Sequence, residues 1–455
     1  MNTTFFGEML NTITERGRAL LERARDRRGE QSAGSEGLVE LCEDLLSGRG
    51  EASGAALAGE ILEKYADLTT GPRIAYFEEL ASRFGPDPAR LQTAIEAWQA
   101  APSDTTAAEV HAAAESRRQE LLRRLNLAPG GTAALVRMRE GLLDALGRRS
   151  DLATVDADFV HLFSSWFNRG FLVLRRIDWS TPAMILEKII RYEAVHEITS
   201  WEELRGRIDP PDRRCYAFFH PALVDEPLIF VEVALTREIP EAVAPIFAAD
   251  RKPLPPERAT TAVFYSISNC QRGLAGVSFG NFLIKQVVEE ISREIARLQT
   301  FVTLSPAPNF AQWLDRERKA EDSAALTEED RTALNGLDIP VWWQNPELRE
   351  VIKEPLLRAA AWYYLRARNR RGMPVDAVAR FHLGNGARLE RLDWLGDVTD
   401  KGLAQSYGLM VNYLYDLEDI EKNHEAYAEG RTIAASNAVR RYLRRAAADL
   451  VPVPG

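Results

Sequence analysis

The sequence predicts an α+β protein in which an all-α helical bundle precedes a mixed α/β domain. Two observations predict this division. Before about residue 155, apolar side chains recur at helical spacing, as at Leu135, Met138, Leu142 and Leu146. From residue 156 onward, runs rich in aromatic and β-branched residues appear, with the length and composition of strands. We therefore predict a helical bundle at 1–155 and a mixed α/β domain at 156–455.

The α/β prediction depends on strand-like and helix-like segments that alternate along the chain. Strand-like runs lie at 216–219, 228–235, 261–267 and 301–304. Helical periodicity lies between and after them, at 281–298 and 354–370. The charged stretch 316–331 is typical of a solvated surface helix or loop.

Composition excludes several classes of protein. The 57 basic residues are outnumbered by 67 acidic ones, which argues against nucleic acid as a partner because phosphate binding needs a basic surface. No segment has eighteen consecutive apolar residues, so we expect no membrane span. Residues 1–15 do not resemble a secretory signal, and we expect a cytoplasmic protein. Cys42, Cys215 and Cys270 form no CxxC pair, which predicts buried thiols rather than a zinc site or a disulfide framework.

One segment, at 260–310, predicts a ligand-binding unit. A strand is followed by a glycine-rich turn, an amphipathic helix and a second strand, which is the pattern of a parallel crossover. Gly273, Gly276 and Gly280 leave room for a ligand to approach the backbone, and the following helix directs its N-terminus at that ligand. A pyrophosphate suits such a place. Because the turn matches no standard phosphate-loop pattern, a purely structural turn is an equal alternative at this point.

Several long blocks of sequence resemble the malonyl-CoA decarboxylase family. The blocks read HLFSSWFNRGFLVLRRIDW, RRCYAFFHPALVDEPLIFVEVALT, FYSISNCQRGLAGVSFGNFLIKQVVEEI, FVTLSPAPNFAQWL and FHLGNGARLERLDWLGDVTDKGLAQSYGLMVNYLYDLEDIEKNHEAY. They cover most of 156–427 in order, and so many long blocks are far more specific than a short motif. The helical first part resembles the family in its predicted secondary structure, and its sequence motifs resemble those of the family more weakly.

This resemblance implies a fold, an assembly and a set of site residues. The helical bundle would serve assembly, most simply of a homotetramer, and the second domain would have the N-acetyltransferase superfamily fold. The catalytic residues would be Ser305 in the motif Ser-Leu-Ser-Pro and His382 in the motif Phe-His-Leu, with Tyr415 near the active site. The loop that contacts malonyl-CoA would comprise Ala275, Gly276, Val277, Ser278, Phe279, Gly280 and Asn281.

One position departs from the family pattern. Animal members of the family carry glutamate where this chain has Ser278. If that glutamate orients the catalytic histidine, another group orients His382 here, or the pKa of His382 differs.

The reaction implied is the conversion of malonyl-CoA to acetyl-CoA and CO2 through an enolate, without metal or organic cofactor. The thioester itself accepts the electrons, and a histidine suits the roles of oxyanion donor and general acid. Taken singly, Ser305 fits a Ser-Pro turn, His382 fits a core histidine, and Tyr415 fits packing. Two other functions stay open: a CoA-dependent N-acetyltransferase, which needs an acceptor amine, and a catalytically silent CoA-binding regulatory protein.

Overall fold

A computed structural model describes residues 35–47, 51–277 and 283–447 of the chain. It has two compact units. The first comprises residues 1–173 with two later segments, 219–226 and 271–280. The second comprises 174–218, 227–270 and 281–455. Among the described residues, helix dominates up to Trp166 and the first strand begins at Val173, so the predicted order of an all-α part and a mixed α/β part is confirmed.

The first unit is built from helices whose apolar faces are buried. The helices are α1 Ser35–Leu46, α2 Glu51–Asp67, α3 Thr70–Arg83, α4 Pro88–Ala100, α5 Asp104–Ala114, α6 Arg117–Leu125, α7 Gly131–Leu146 and α8 Ala153–Trp166. The helical spacing read from the sequence is confirmed in α7, where Leu135, Met138 and Leu142 are fully buried. A buried ion pair joins α6 to α8, because Arg118 Nε lies 2.8 Å from Asp158 Oδ2.

The second unit contains a mixed sheet. Its strands are β1 Val173–Ile177, β2 Arg213–Phe219, β3 Pro227–Thr236, β4 Thr261–Asn269, β5 Thr300–Thr303, β6 Ser305–Pro306, β7 Arg388–Asp393 and β8 Met410–Leu414. Their order is β1-β2-β3-β4-β5-β8-β6, with β7 paired to β8. β4 and β5 are parallel, with Thr261 opposite Thr300, which confirms the predicted crossover. The four predicted strands correspond to β2–β5.

Helices accompany the sheet along the chain. They are α9 Ala183–Tyr192, α10 Trp201–Ile208, α11 Ala244–Phe247, α12 Leu283–Glu294, α13 Phe310–Lys319, α14 Glu328–Leu334, α15 Pro346–Leu365, α16 Ala377–Gly384, α17 Asp400–Ser406, α18 Ile420–Gly430 and α19 Asn437–Ala447. The charged stretch 316–331 spans the end of α13, a connecting loop and the start of α14, as predicted.

The apolar core of the sheet lies next to the strand that carries the first candidate residue. Side chains of β3, β4 and the β5 region pack together with Met410 of β8. They include Val263, Val302 and Leu304, all essentially without solvent exposure. This packing fixes the backbone on either side of Leu304, so it also holds the backbone at Ser305.

The cysteines agree with the prediction from the sequence. Cys42, Cys215 and Cys270 are all buried, as predicted. Within the described ranges, every helix is too short or too polar to cross a bilayer.

Candidate active site

The end of β5 delivers the first candidate residue, Ser305. Ser305 opens the short strand β6 and pairs there with Val411 of β8. Its side chain is buried, with 6% of its surface exposed. The hydroxyl donates to Thr303 Oγ1 over 2.8 Å, and its oxygen lies 3.2 Å from His382 Nε2. Ser305 is therefore an ordered part of a side-chain network as well as the residue before a proline.

His382 reaches the same place from helix α16. Asp376 caps that helix by accepting from the backbone N–H of Ala379 over 2.7 Å. This cap fixes the start of α16 and so the position of His382, which follows within the same short helix. The imidazole Nδ1 lies 2.8 Å from the Tyr415 hydroxyl. The ring also stacks on Tyr413, with centroids 4.6 Å apart.

Tyr415 completes the Ser–His–Tyr group, a name used below for Ser305, His382 and Tyr415. Tyr415 directly follows β8, and its backbone N–H donates to Phe301 O of β5 over 2.8 Å. The three residues are 77 and 33 positions apart along the chain, yet each is within hydrogen-bond distance of the next. The fold thus brings together all three residues that the family motifs indicate.

Burial sets the protonation of this group. It lowers the pKa of His382 to about 3, so the imidazole is neutral at neutral pH. Burial also raises the pKa of Tyr415 well above its ordinary value, so the phenol keeps its proton. The group therefore offers hydrogen-bond donors and acceptors without a net charge. In the described part of the chain, no cluster of three or more His, Cys, Asp or Glu side chains has the arrangement of a metal site.

We use the name glycine-rich turn for the described residues 271–277. Its two glycines are there for different structural reasons. A Cβ on Gly273 would lie 2.0 Å from the carbonyl oxygen of Val136 in α7, so this glycine is required by close packing rather than by a ligand. Gly276 has φ +79° and open space around it. Left-handed backbone of that kind is rare for any residue with a side chain.

Arg139 of α7 holds this turn. Its side chain is 2% exposed, and the guanidinium donates through Nη1 to the carbonyl oxygens of Gly273 and Ala275, over 2.8 and 2.7 Å. Its Nε forms an ion pair with Asp156 at 2.7 Å. A buried arginine that donates hydrogen bonds to two carbonyl oxygens of a loop fixes the shape of that loop.

The predicted loop residues are described only in part. Ala275, Gly276 and Val277 belong to the glycine-rich turn, whereas Ser278, Phe279, Gly280 and Asn281 lie outside the described residues. Helix α12 is described from Leu283. The turn falls in the first compact unit, and the Ser–His–Tyr group falls in the second.

Sequence analysis missed residues that hold the Ser–His–Tyr group and, separately, the glycine-rich turn. Thr303 and Tyr413 each precede a nominated residue by two positions, and side chains two apart in extended chain share a face. That period offered a signal for both. Arg139 had none, because its partners in the turn lie 134 and 136 positions further along the chain.

Comparison with known proteins gives one consistent family. The model described as "Malonyl-CoA decarboxylase C-terminal domain" matches residues 170–452, and "Malonyl-CoA decarboxylase N-terminal domain" matches 84–167. The mitochondrial malonyl-CoA decarboxylase of Anser anser anser is 37% identical over 352 residues, 72% of this chain and 69% of its own length.

Two crystal structures of malonyl-CoA decarboxylases are more similar still. The protein from Rhodopseudomonas palustris is 60% identical with a TM-score of 0.87, covering 90% of this chain and all of its own. That from Agrobacterium vitis is 56% identical with a TM-score of 0.85, covering 89% of this chain and 99% of its own.

Proposed function

Since this chain belongs to the malonyl-CoA decarboxylase family, we propose that Ser305, His382 and Tyr415 carry out its reaction. The chain is a carboxy-lyase that converts malonyl-CoA to acetyl-CoA and CO2. The observation that carries the assignment is the continuous contact from Ser305 Oγ to His382 Nε2 and from His382 Nδ1 to the Tyr415 hydroxyl.

The chemistry has two demands. First, the bond between the malonyl α-carbon and its carboxylate breaks, CO2 leaves, and the electron pair passes to the thioester as an enolate. A donor aimed at the developing oxyanion lowers this barrier by roughly 3 kcal/mol. Second, the enolate carbon gains a proton to become the methyl group of acetyl-CoA. A positioned acid contributes about 10²–10⁴-fold to such a step.

The Ser–His–Tyr group supplies both demands. Ser305 anchors the malonyl carboxylate or the thioester oxygen with its hydroxyl hydrogen, which it donates to Thr303 while no substrate is bound. His382 steadies the enolate oxygen and delivers the proton, directly or through water. Tyr415 orients the imidazole, and this hydrogen bond supplies the orienting group that the departure at Ser278 calls for. The thioester serves as the electron acceptor, so this sequence of steps uses no metal or organic cofactor.

The segment 275–281 binds the coenzyme A portion of the substrate. Gly276 supports this role, since its open surroundings and positive φ present bare backbone. A helix is predicted from the sequence after this segment, and unpaired N–H groups at its start would favour a pyrophosphate. Arg139 of α7 donates to the carbonyl oxygens of Gly273 and Ala275, so the backbone at the start of this segment is held before a ligand arrives.

The chain forms a homotetramer in the cytoplasm, with the helical bundle 1–155 carrying much of the contact. Family resemblance supports the assembly, and the bundle exposes large apolar side chains, with Trp98 44% and Leu127 63% exposed. The acidic balance of charge argues against nucleic acid or an anionic membrane surface as a partner. Light scattering of the full chain tests the assembly: four times 51.0 kDa is expected, and a single 51.0 kDa species contradicts it.

The decisive assay supplies purified protein with malonyl-CoA as the only organic substrate. Acetyl-CoA and CO2 should appear in equal amounts, and adding amines should not change the rate. Turnover of acetyl-CoA that depends on an added amine would instead indicate an N-acetyltransferase. Tight binding of malonyl-CoA without turnover would indicate a silent binding protein.

A further inference from the structure

In the protein without substrate, the Ser305 hydroxyl donates its one hydrogen to Thr303. The geometry makes Ser305 the donor and Thr303 Oγ1 the acceptor in their 2.8 Å hydrogen bond. Thr303 is fully buried and firmly held. Its Oγ1 also accepts from the backbone N–H of Tyr413 over 3.1 Å, and its carbonyl accepts from Asn412 Nδ2 over 2.9 Å.

This donor assignment determines the neighbouring contacts. A hydroxyl has one hydrogen to donate. Since that hydrogen points to Thr303, the 3.2 Å contact between Ser305 and His382 is a hydrogen bond only if Nε2 carries a hydrogen and donates it. In a neutral imidazole, Nδ1 then carries none, so the Tyr415 hydroxyl donates to Nδ1 over 2.8 Å.

We infer that Thr303 is a positioning residue that directs the Ser305 hydroxyl away from His382 and thereby holds the imidazole as the Nε2–H tautomer. The inference rests on the proposed function for its catalytic meaning, though the tautomer itself is a property of the protein without substrate. The chain of donors runs from Tyr415 to His382, from His382 to Ser305, and from Ser305 to Thr303.

The direction of these hydrogen bonds separates two kinds of chemistry. A serine nucleophile needs an unprotonated histidine nitrogen facing its hydroxyl, to remove the proton. Here a nitrogen–hydrogen bond faces Ser305, so His382 is set to donate and Ser305 is not activated for attack on the thioester. A neutral imidazole is a sufficient donor, because a thioester enolate is a much stronger base than an imidazolate. Decarboxylation needs this arrangement, whereas acyl transfer through Ser305 needs its reverse.

Two variants of Thr303 test the role in catalysis. Thr303→Val keeps the shape but removes the acceptor, so the Ser305 hydroxyl turns to Nε2 as its remaining partner and displaces the hydrogen there. We expect kcat to fall about tenfold or more with KM little changed, in line with a misdirected acid. Thr303→Ser restores the acceptor and should keep kcat within about threefold of wild type. Equal kcat in both variants would overturn the inference.

The tautomer is measured directly by ¹⁵N NMR of histidine-labelled protein, with His382→Gln used to assign the signals of His382. The unliganded wild-type protein should show hydrogen on Nε2, and Thr303→Val should show it on Nδ1. Hydrogen on Nδ1 in the wild type would overturn the inference even if Thr303→Val failed to fold. This result is independent of turnover, so it is separate from failure of the proposed function, which full activity of Ser305→Ala and His382→Gln would show.

Discussion

The Ser–His–Tyr group and the glycine-rich turn are built in opposite ways. In the Ser–His–Tyr group, side chains bond to side chains, and one buried neutral imidazole lies at the centre. In the turn, which we propose binds through its backbone, a charged side chain from a helix distant in sequence donates to two carbonyl oxygens. The first arrangement suits bond breaking, and the second suits recognition of a phosphate group. Changes in the group should therefore lower kcat, and changes in the turn should raise KM.

The largest effect is expected from the Ser–His–Tyr group itself. His382→Gln and Ser305→Ala remove a donor that acts mainly in the transition state, so kcat should fall by about 10²-fold or more, with a smaller change in KM. Steady-state kinetics with malonyl-CoA measure both constants. His161→Gln is a suitable control, because His161 lies exposed on α8. Near-normal kcat in His382→Gln would exclude His382 from the chemistry.

The next largest effect is expected where α7 holds the turn. Arg139→Met leaves Asp156 and two turn carbonyls without their donor, so KM should rise about tenfold while kcat changes little. Breaking a buried ion pair also destabilises the fold by about 3–5 kcal/mol, which urea unfolding measures.

The first unit offers a matched control for that substitution. Arg118 is likewise buried and pairs with Asp158, but the carbonyl oxygens to which it donates are those of Leu80 and Ala81 in α3 rather than those of the turn. Arg118→Met should lose similar stability and keep a normal KM. If both variants raise KM equally, the effect belongs to stability in general and not to the turn.

A moderate effect is expected from Gly276. Gly276→Val forces a branched side chain into left-handed backbone, at a cost of about 1–3 kcal/mol, and covers backbone that the substrate would approach. KM should rise several-fold. Gly130 shares the positive φ and the open surroundings, so Gly130→Val carries the same strain away from the turn. A KM that is unchanged in Gly276→Val, or raised equally in both variants, contradicts the placement of coenzyme A.

The smallest effect is expected from pH. An imidazolium acid with the ordinary histidine pKa of 6.5 would lose activity as pH rises through that value. Burial lowers the pKa of His382 to about 3, so its imidazole stays neutral above that pH and undergoes no such loss. Between about pH 6 and 8, kcat should therefore vary less than about twofold. A tenfold fall in kcat per pH unit above 6.5 would show that His382 acts as the cation.

The same contrast explains what the sequence could predict. Strand and helix patterns predicted β2–β5 and the parallel crossover, because period and composition are local properties. Motifs that resemble the family indicated Ser305 and His382, and in the structure Ser305 Oγ lies 3.2 Å from His382 Nε2. Arg139 was missed since nothing near it in sequence indicates that its partners are Gly273 and Ala275.

Gly273 shows a second limit. The sequence suggested that its missing side chain admits a ligand, but the structure places it against the carbonyl of Val136. A glycine in the sequence indicates that some group approaches the backbone closely, but it does not identify that group. The assignment of the substrate loop to 275–281 depends on the same kind of signal, and it stays a prediction.

The central claim is that Ser305 and His382 act as one unit on one malonyl group, and a double-mutant cycle in kcat tests it most directly. Kinetics are measured for wild type, Ser305→Ala, His382→Gln and the double variant under identical conditions. Residues that act as a unit give strongly non-additive losses. The double variant should therefore be about as slow as His382→Gln alone. If the two single losses multiply in the double variant, Ser305 and His382 act independently and the account is wrong.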